Sequence, residues 1–291
     1  MQALLHVFVE PGFFASSNVR LALAIGGMVA LVAAGVGVFT VIRGQSFAGE
    51  ALGDIGAAGG SSAYLVGAGA LWGFLWMNVA AAALMELIGI QRARGRDLAT
   101  GIVLGFGFGL AALFLYLGST QTSAGGAPVQ ILFGSLFVLP SSNLPLVLAL
   151  GAATLALLAG LYRPLLLASV SPELAAARGL PVRLIGFAYL LAMAVAVALS
   201  ALTIGAILST ALLVGPAAAA LRLTSRPHHA FLAAGAIGIA CTWLGVLLAW
   251  DSYYWPHHNW PVSFFVVTLV LIAYLASGIG SRSGHGLRGA R

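Results

Sequence analysis

Charge is what this chain has least of. Asp, Glu, Lys and Arg together make up 7% of its 291 residues, where a soluble domain carries about 25%. So few charges cannot cover a water-facing surface, which excludes an ordinary soluble globule. Cysteine is nearly absent too. Cys241 is the one copy and lies inside an apolar run, so no internal disulfide can form and the redox compartment is left open. The Walker A pattern GxxxxGK[ST] does not occur, which excludes ATP binding by that device. The first residues, "MQALLHVFVEPGFF", have neither a basic n-region nor a small-residue cleavage site, so they do not read as a signal peptide. They read as a short interfacial helix ending before Pro11, within an interfacial segment 1–18.

What is present points to a lipid solvent. Hydrophobic residues make up 61% and mean hydropathy is +1.05, as expected of an all-α integral membrane protein forming one transmembrane domain over 1–291. Glycine, 38 residues, is about twice its usual ~7% share, and lets packed membrane helices approach closely. The net charge of +6 sits in short loops, where it sets orientation; no nucleic-acid partner is expected. Runs near the ~20 residues a spanning helix needs occur at 19–42, 68–90, 98–118, 143–168, 183–201, 203–223, 230–250 and 260–280, with a weaker one at 46–67. About nine crossings follow, or eight if 19–42 or 46–67 only dips into the bilayer. The arginine-bearing segments "QRARGR" (91–96), "AARGLPVR" (176–183), "LRLTSR" (221–226) and the tail 281–291 are expected inside. "STQTSAGGAPVQ" and "DSYYWPHHNW" are expected outside. Nine crossings put the N-terminus outside, eight put it inside.

Two loops carry further signals. The apolar part of 127–145, bounded by Pro128 and Pro140, is too short to span and reads as an outer half-helix. The segment 171–179 has helix start and stop signals in order: Ser171 as N-cap, Pro172 at the first position, Glu173 in the first turn and Gly179 as the stop. A capped helix in an inner loop is more than a tether needs, and suits docking of a soluble partner.

The chemistry concentrates in "RGQSFAGEALGDIGAAGG" (43–60). Glu50 and Asp54 are four residues apart, on one face of a helix. An acidic residue near mid-membrane costs about 2.5–3.5 kcal/mol on insertion scales, and like charges one turn apart repel. Three readings stand: a grip on a divalent cation, a proton-carrying pair, or an interfacial pair that both reach water. Glu86, near the end of its span, can be satisfied by Arg92, Arg94 or water. Asp97 reads as a helix N-terminal dipole partner, and Asn78 as an interhelical hydrogen bond. "WPHHNWP" places His257 and His258 in an outer loop. They can receive a metal at the mouth, or belong to an aromatic belt with Tyr253, Tyr254, Trp255 and Trp260. His228 and His229 read as plain interfacial residues. Gly101, Gly105 and Gly109 form a small-xxx-small seam suited to close helix contact within or between subunits.

Taken in order, "FTVIRGQSFAGEALGDIGAAGG" (39–60), "RDLATGIVLGFGFGLAALFLYL" (96–117), "QILFGSLFVL" (130–139), "SPELAAARGLP" (171–181), "ALTIGAILSTALLVGPAAAALRLTSR" (201–226) and "DSYYW" (251–255) resemble the metal-type ABC transporter permeases, the membrane subunits of manganese, zinc and iron uptake systems. The resemblance implies a permease subunit in the bacterial plasma membrane with no enzymatic activity of its own. It also implies a second copy in a homodimer, cytoplasmic ABC ATPase subunits and an extracytoplasmic metal-binding solute-binding protein, besides the surrounding lipid. The divalent manganese, zinc or iron ion would be cargo, and no permanent cofactor is implied. The family's Asp and His four residues apart fall on Glu50 and Asp54; the histidine is replaced by a carboxylate. Two oxygen ligands suit Mn(II) or Fe(II), though Zn(II) also accepts carboxylates. The family's coupling loop falls on Ser171, Pro172, Glu173, Leu174, Ala175, Arg178 and Gly179, the contact expected with the ATPase. The alternatives are a proton-coupled secondary transporter or cation channel with no ATPase partner, and a permease of similar architecture for cobalamin or a siderophore.

Overall fold

The computed structural model describes residues 13–88, 93–121, 127–134, 136–224, 226–252 and 260–285. Among these residues all regular structure is helical. The helices are α1 (Ser17–Ile42), α2 (Ser46–Leu65), α3 (Ala70–Ile88), α4 (Ala93–Gln121), α5 (Ala127–Phe133), α6 (Asn143–Val170), α7 (Pro172–Ala177), α8 (Val182–Ile204), α9 (Ser209–Leu223), α10 (Pro227–Ser252) and α11 (Val262–His285).

Seven helices contain stretches long and apolar enough to cross a membrane: Ser17–Ile42, Ala70–Ile88, Thr100–Thr120, Asn143–Val170, Val182–Ile204, Pro227–Ser252 and Val262–Ile279. The chain is a multi-pass membrane protein. Two of the nine expected spans fall outside that set for different reasons. α2 is long enough but carries Glu50, Asp54 and a run of glycines. The run expected at 203–223 is broken, because α8 continues to Ile204, Gly205 turns left-handed (φ 95°), and α9 begins only at Ser209. α9 is correspondingly short, with 15 residues.

The helix ends sort into two groups by their contacts. Phe39 near the end of α1, Tyr162 in α6 and Phe231 in α10 form one aromatic cluster. Arg43, the inter-helix segment around α7, and the α9–α10 turn lie at that end. Arg222 at the close of α9 bonds the Tyr274 hydroxyl of α11 and lies over its ring. At the opposite end Phe13 packs on Trp250 of α10, the Trp243 indole donates to the Leu23 carbonyl, and the Ala206 amide donates to the Ile131 carbonyl at 3.0 Å. The start of α1, where Arg20 bonds the Phe14 and Ala15 carbonyls, therefore lies at the end opposite Arg43, Arg222 and α7.

α1 and α8 form the interior. Val29, Val36, Phe39, Tyr189, Leu190, Met193 and Leu199 are fully or almost fully buried. α2 packs chiefly on α3 and α4, and touches α1 little beyond the turn that joins them. That turn is a Schellman motif: Gly44 (φ 62°) donates to Val41 at 3.1 Å, and Gln45 to Thr40 at 2.9 Å.

The packing narrows the reading of the glycine seam. A Cβ added at Gly101, Gly105 or Gly109 meets nothing within 4 Å, so these three make no close contact within the subunit. Gly107, off that register, is the one that packs: its Cβ would lie 2.9 Å from Ile55 of α2. In the segment expected to hold a half-helix, the described residues form a helix of seven residues, α5, closed by left-handed Gly134 (φ 80°).

Candidate metal path and coupling helix

Glu50 and Asp54 both lie on α2, each half-buried, amid the buried residues Ala48, Gly49, Ala51, Leu52, Gly53 and Ile55. At about 1.5 Å rise per residue, Glu50 is ~6 Å and Asp54 ~12 Å into the helix. Neither is a frayed terminal group, and both share one face one turn apart. Phe47, earlier on the same side of the helix, is 75% exposed, so this face is not sealed by the rest of the subunit.

Glycine shapes the flanks of the pair. A Cβ at Gly53 would stand 3.1 Å from the Ser209 hydroxyl and 3.2 Å from the Ala206 carbonyl oxygen, and one at Gly49 would stand 2.8 Å from Leu213. The unwound turn between α8 and α9 is thus pressed against α2 beside Asp54. On the other flank a Cβ at Gly56 would meet the Asn78 side-chain oxygen at 2.8 Å. Gly59 and Gly73 touch backbone to backbone. Small residues hold α2 tightly while leaving the carboxylate face open.

Asn78 is fully buried, and its amide donates to the Ala194 carbonyl of α8 at 3.2 Å. It is the interhelical bond expected of it, and its closeness to Gly56 was not legible in sequence. Glu86 is half-buried near the close of α3. Among the described residues no group of three or more His, Cys, Asp or Glu gathers into a cage, so Glu50 and Asp54 stand as a two-carboxylate arrangement. His257 and His258 lie outside the described residues. His228 and His229 are exposed beside one another at the start of α10. A cavity of about 480 Å³ opens at the end opposite Arg43, lined in part by Phe133, Thr203, Trp250, Ser252 and Trp260. Neither carboxylate of the pair lines it.

The segment 171–179 folds as α7 with Pro172 at its start. Its end is a Schellman motif: Gly179 (φ 75°) donates to Ala176 at 2.9 Å and Leu180 to Ala175 at 3.1 Å. Two expectations change. Ser171 makes no side-chain cap; its carbonyl instead accepts the Ala175 amide at 3.0 Å. Leu174 and Ala175 also do not share one outward face. Ala175 is fully buried against the bundle, whereas Leu174 is 46% exposed. Glu173, Arg178 and Gly179 are exposed with Leu174.

A family model described as the ABC 3 transport family matches residues 16–279. The manganese transport system membrane protein MntC of Listeria monocytogenes is 27% identical over 270 residues, covering 92% of this chain and 94% of that protein. The manganese import system permease protein ScaB of Streptococcus parasanguinis is 25% identical over 230 residues, 79% of each. Among solved structures, PsaBC from Streptococcus pneumoniae in complex with Fab superposes with a TM-score of 0.79 at 23% identity, covering 95% of both chains; this likeness shows the fold.

Proposed function

The chain belongs to the ABC 3 transport family, and from that premise we propose that it is the membrane-spanning permease of an ATP-driven importer for a divalent transition-metal ion, manganese first. One observation carries the reading. In a chain matched almost end to end by manganese transport proteins, two carboxylates lie one turn apart on an open helix face, with glycine backbone on either side. An intramembrane acidic pair is costly without a counter-charge, and a passing cation supplies it. Carboxylate oxygens suit Mn(II). Two side chains rather than a full cage also allow release.

The rest of the assembly follows from this reading. The open face of α2 meets a second copy of the chain, so that two pairs line one path. ATP hydrolysis belongs to separate cytoplasmic subunits docked on α7 through Leu174, Glu173 and Arg178. A solute-binding protein delivers the ion to the opposite end, in the bacterial plasma membrane.

The test is reconstitution. The permease, co-purified with its partner ATPase, is placed in proteoliposomes with radioactive manganese, zinc or iron. Uptake that needs ATP and is greatest for manganese supports the proposal. Uptake driven by a proton gradient with no ATPase present would turn the assignment to a secondary transporter.

A further inference from the structure

We propose that Arg43 and Tyr189 form a strut that carries displacement of the α7 segment to the turn leading into α2, and so to Glu50 and Asp54. The inference rests on the permease reading above and adds two positioning residues to it.

The geometry is local and continuous. The Arg43 guanidinium lies 5.1 Å from the centre of the Tyr189 ring, a cation–π distance. Its Nη1 also reaches the Ser169 hydroxyl at 3.5 Å. Ser169 is in the last turn of α6, two residues before the segment that becomes α7. Tyr189 is on α8, the helix that leaves the same segment. One side chain therefore bridges both arms from which α7 hangs. Behind it, the Tyr189 hydroxyl shares a 2.6 Å hydrogen bond with Thr40 in the last turn of α1. Thr40 also donates to the Val36 carbonyl at 3.0 Å and its own carbonyl accepts the Gln45 amide at 2.9 Å. Tyr189 is fully buried, so its ring is a fixed bearing surface rather than a mobile interfacial group.

The placement matters because of how α2 is held. α2 packs chiefly with α3 and α4 and also touches α8 and α9, while α1 packs with α6, α8, α9 and α10. α1 and α2 share almost no contact with each other, so residues 43–45 are the covalent joint between them. Ser46 opens α2 directly after the joint, and Glu50 follows within the next turn. A push on the α6–α7–α8 arms is passed by Arg43 into the joint that opens the carboxylate helix, beside the direct α8–α2 contact. A simple membrane anchor would need neither the buried aromatic ring nor the bond back to α1.

The test uses the complete complex with its ATPase in proteoliposomes and reads ATP hydrolysis and manganese uptake together. Arg43→Gln should lower the ions moved per ATP by about five- to tenfold, the size of a modest coupling between distant sites, with assembly unchanged. Tyr189→Phe keeps the ring and loses the Thr40 bond, and should lower the same ratio by a smaller factor. Arg43→Lys keeps the charge over the ring and should recover part of the loss. An unchanged ratio in both Arg43→Gln and Tyr189→Phe overturns the strut. So does equal loss of hydrolysis and uptake, which marks a folding defect, or full recovery of the ratio in an Arg43→Leu variant. Absence of ATP-dependent uptake by the unmodified complex is a different result, and counts against the permease reading itself.

Discussion

Gly134 and Gly205 meet backbone to backbone where α5 and α8 end. Both are left-handed, with φ of 80° and 95°. A Cβ at Gly134 would fall against Thr203 and Ile204, and one at Gly205 would lie 2.5 Å from the Phe133 Cα. The neighbouring Ala206 amide closes the contact on Ile131. This pair ends α8 early and presents the α8–α9 turn to Gly53.

Gly205→Ala should therefore be among the costliest single-methyl changes in the molecule. At φ 95° and ψ 155° Gly205 sits in a region that is essentially glycine's alone, which costs another residue about 1–3 kcal/mol, and forcing a methyl into packed backbone adds about 1–3 kcal/mol. Gly179→Ala is the matched comparison, since Gly179 is also left-handed but its Cβ would meet nothing within 4 Å. In detergent-solubilised protein the thermal midpoint should fall clearly further for Gly205→Ala. Equal shifts would mean that the Gly134 contact adds nothing.

The carboxylate pair makes a functional prediction that separates it from Glu86. Glu50→Gln and Asp54→Asn keep shape and remove one charge each. If a cation passes between them, each should cut metal uptake by roughly tenfold or more, because an intramembrane charge is retained for use. Glu86→Gln should leave most transport intact. Assembly with the ATPase should survive in all three. Vesicle uptake of radioactive manganese measures this; near-normal transport by both pair variants would return the pair to a water-reaching interfacial role.

How far these sites were legible in sequence depends on whether the signal is local. The spacing of Glu50 and Asp54, the Pro172 start and the Gly179 stop are local, and all are found in the helices expected. The break at Gly205 was not legible, because 203–223 is apolar throughout and the glycine's conformation is set by Gly134, some seventy residues away. The outward register of Gly101, Gly105 and Gly109 was hidden for the same reason. A glycine stripe fixes a helix face but not its partner, and Gly107 contacts Ile55 instead. The Arg43–Tyr189 contact joins residues with no sequence motif between them.

The coupling helix gives a prediction that its two apolar residues should divide. Leu174→Asp changes an exposed side chain on α7, so the permease should fold normally but bind its ATPase weakly, and the ATPase should hydrolyse ATP without metal being moved. Ala175→Asp puts a carboxylate at a fully buried position, at a cost of several kcal/mol if unpaired. It should instead reduce the yield of folded permease. Co-purification of the ATPase and size-exclusion profiles distinguish the two. A well-folded Ala175→Asp protein, or a Leu174→Asp complex that transports normally, would contradict the packing or the docking role respectively.

The number of crossings can be decided at the start of α1. Ala15 is exposed beside Phe13, which packs on Trp250 at the end of α10. Arg43, at the far end of the same helix, reaches Ser169 near α7. If α1 and α2 both cross, Ala15 lies on the same side as the exposed Ser141, and Ala176 on α7 lies on the other. Single cysteines at these three positions, in a Cys241→Ala background, can be challenged with a membrane-impermeant thiol reagent on intact cells. Cys241 is itself 94% buried, being 6% exposed, so its removal is a precaution against slow background labelling. Ala15→Cys and Ser141→Cys should label at once, and Ala176→Cys only after permeabilisation. Labelling of Ala15→Cys only after permeabilisation, as for Ala176→Cys, would place the start of α1 on the same side as α7 and reduce the crossings from nine to eight. That outcome would also detach Arg43 from the inner surface, because α1 is too long, at 26 residues, to return its two ends to the same side.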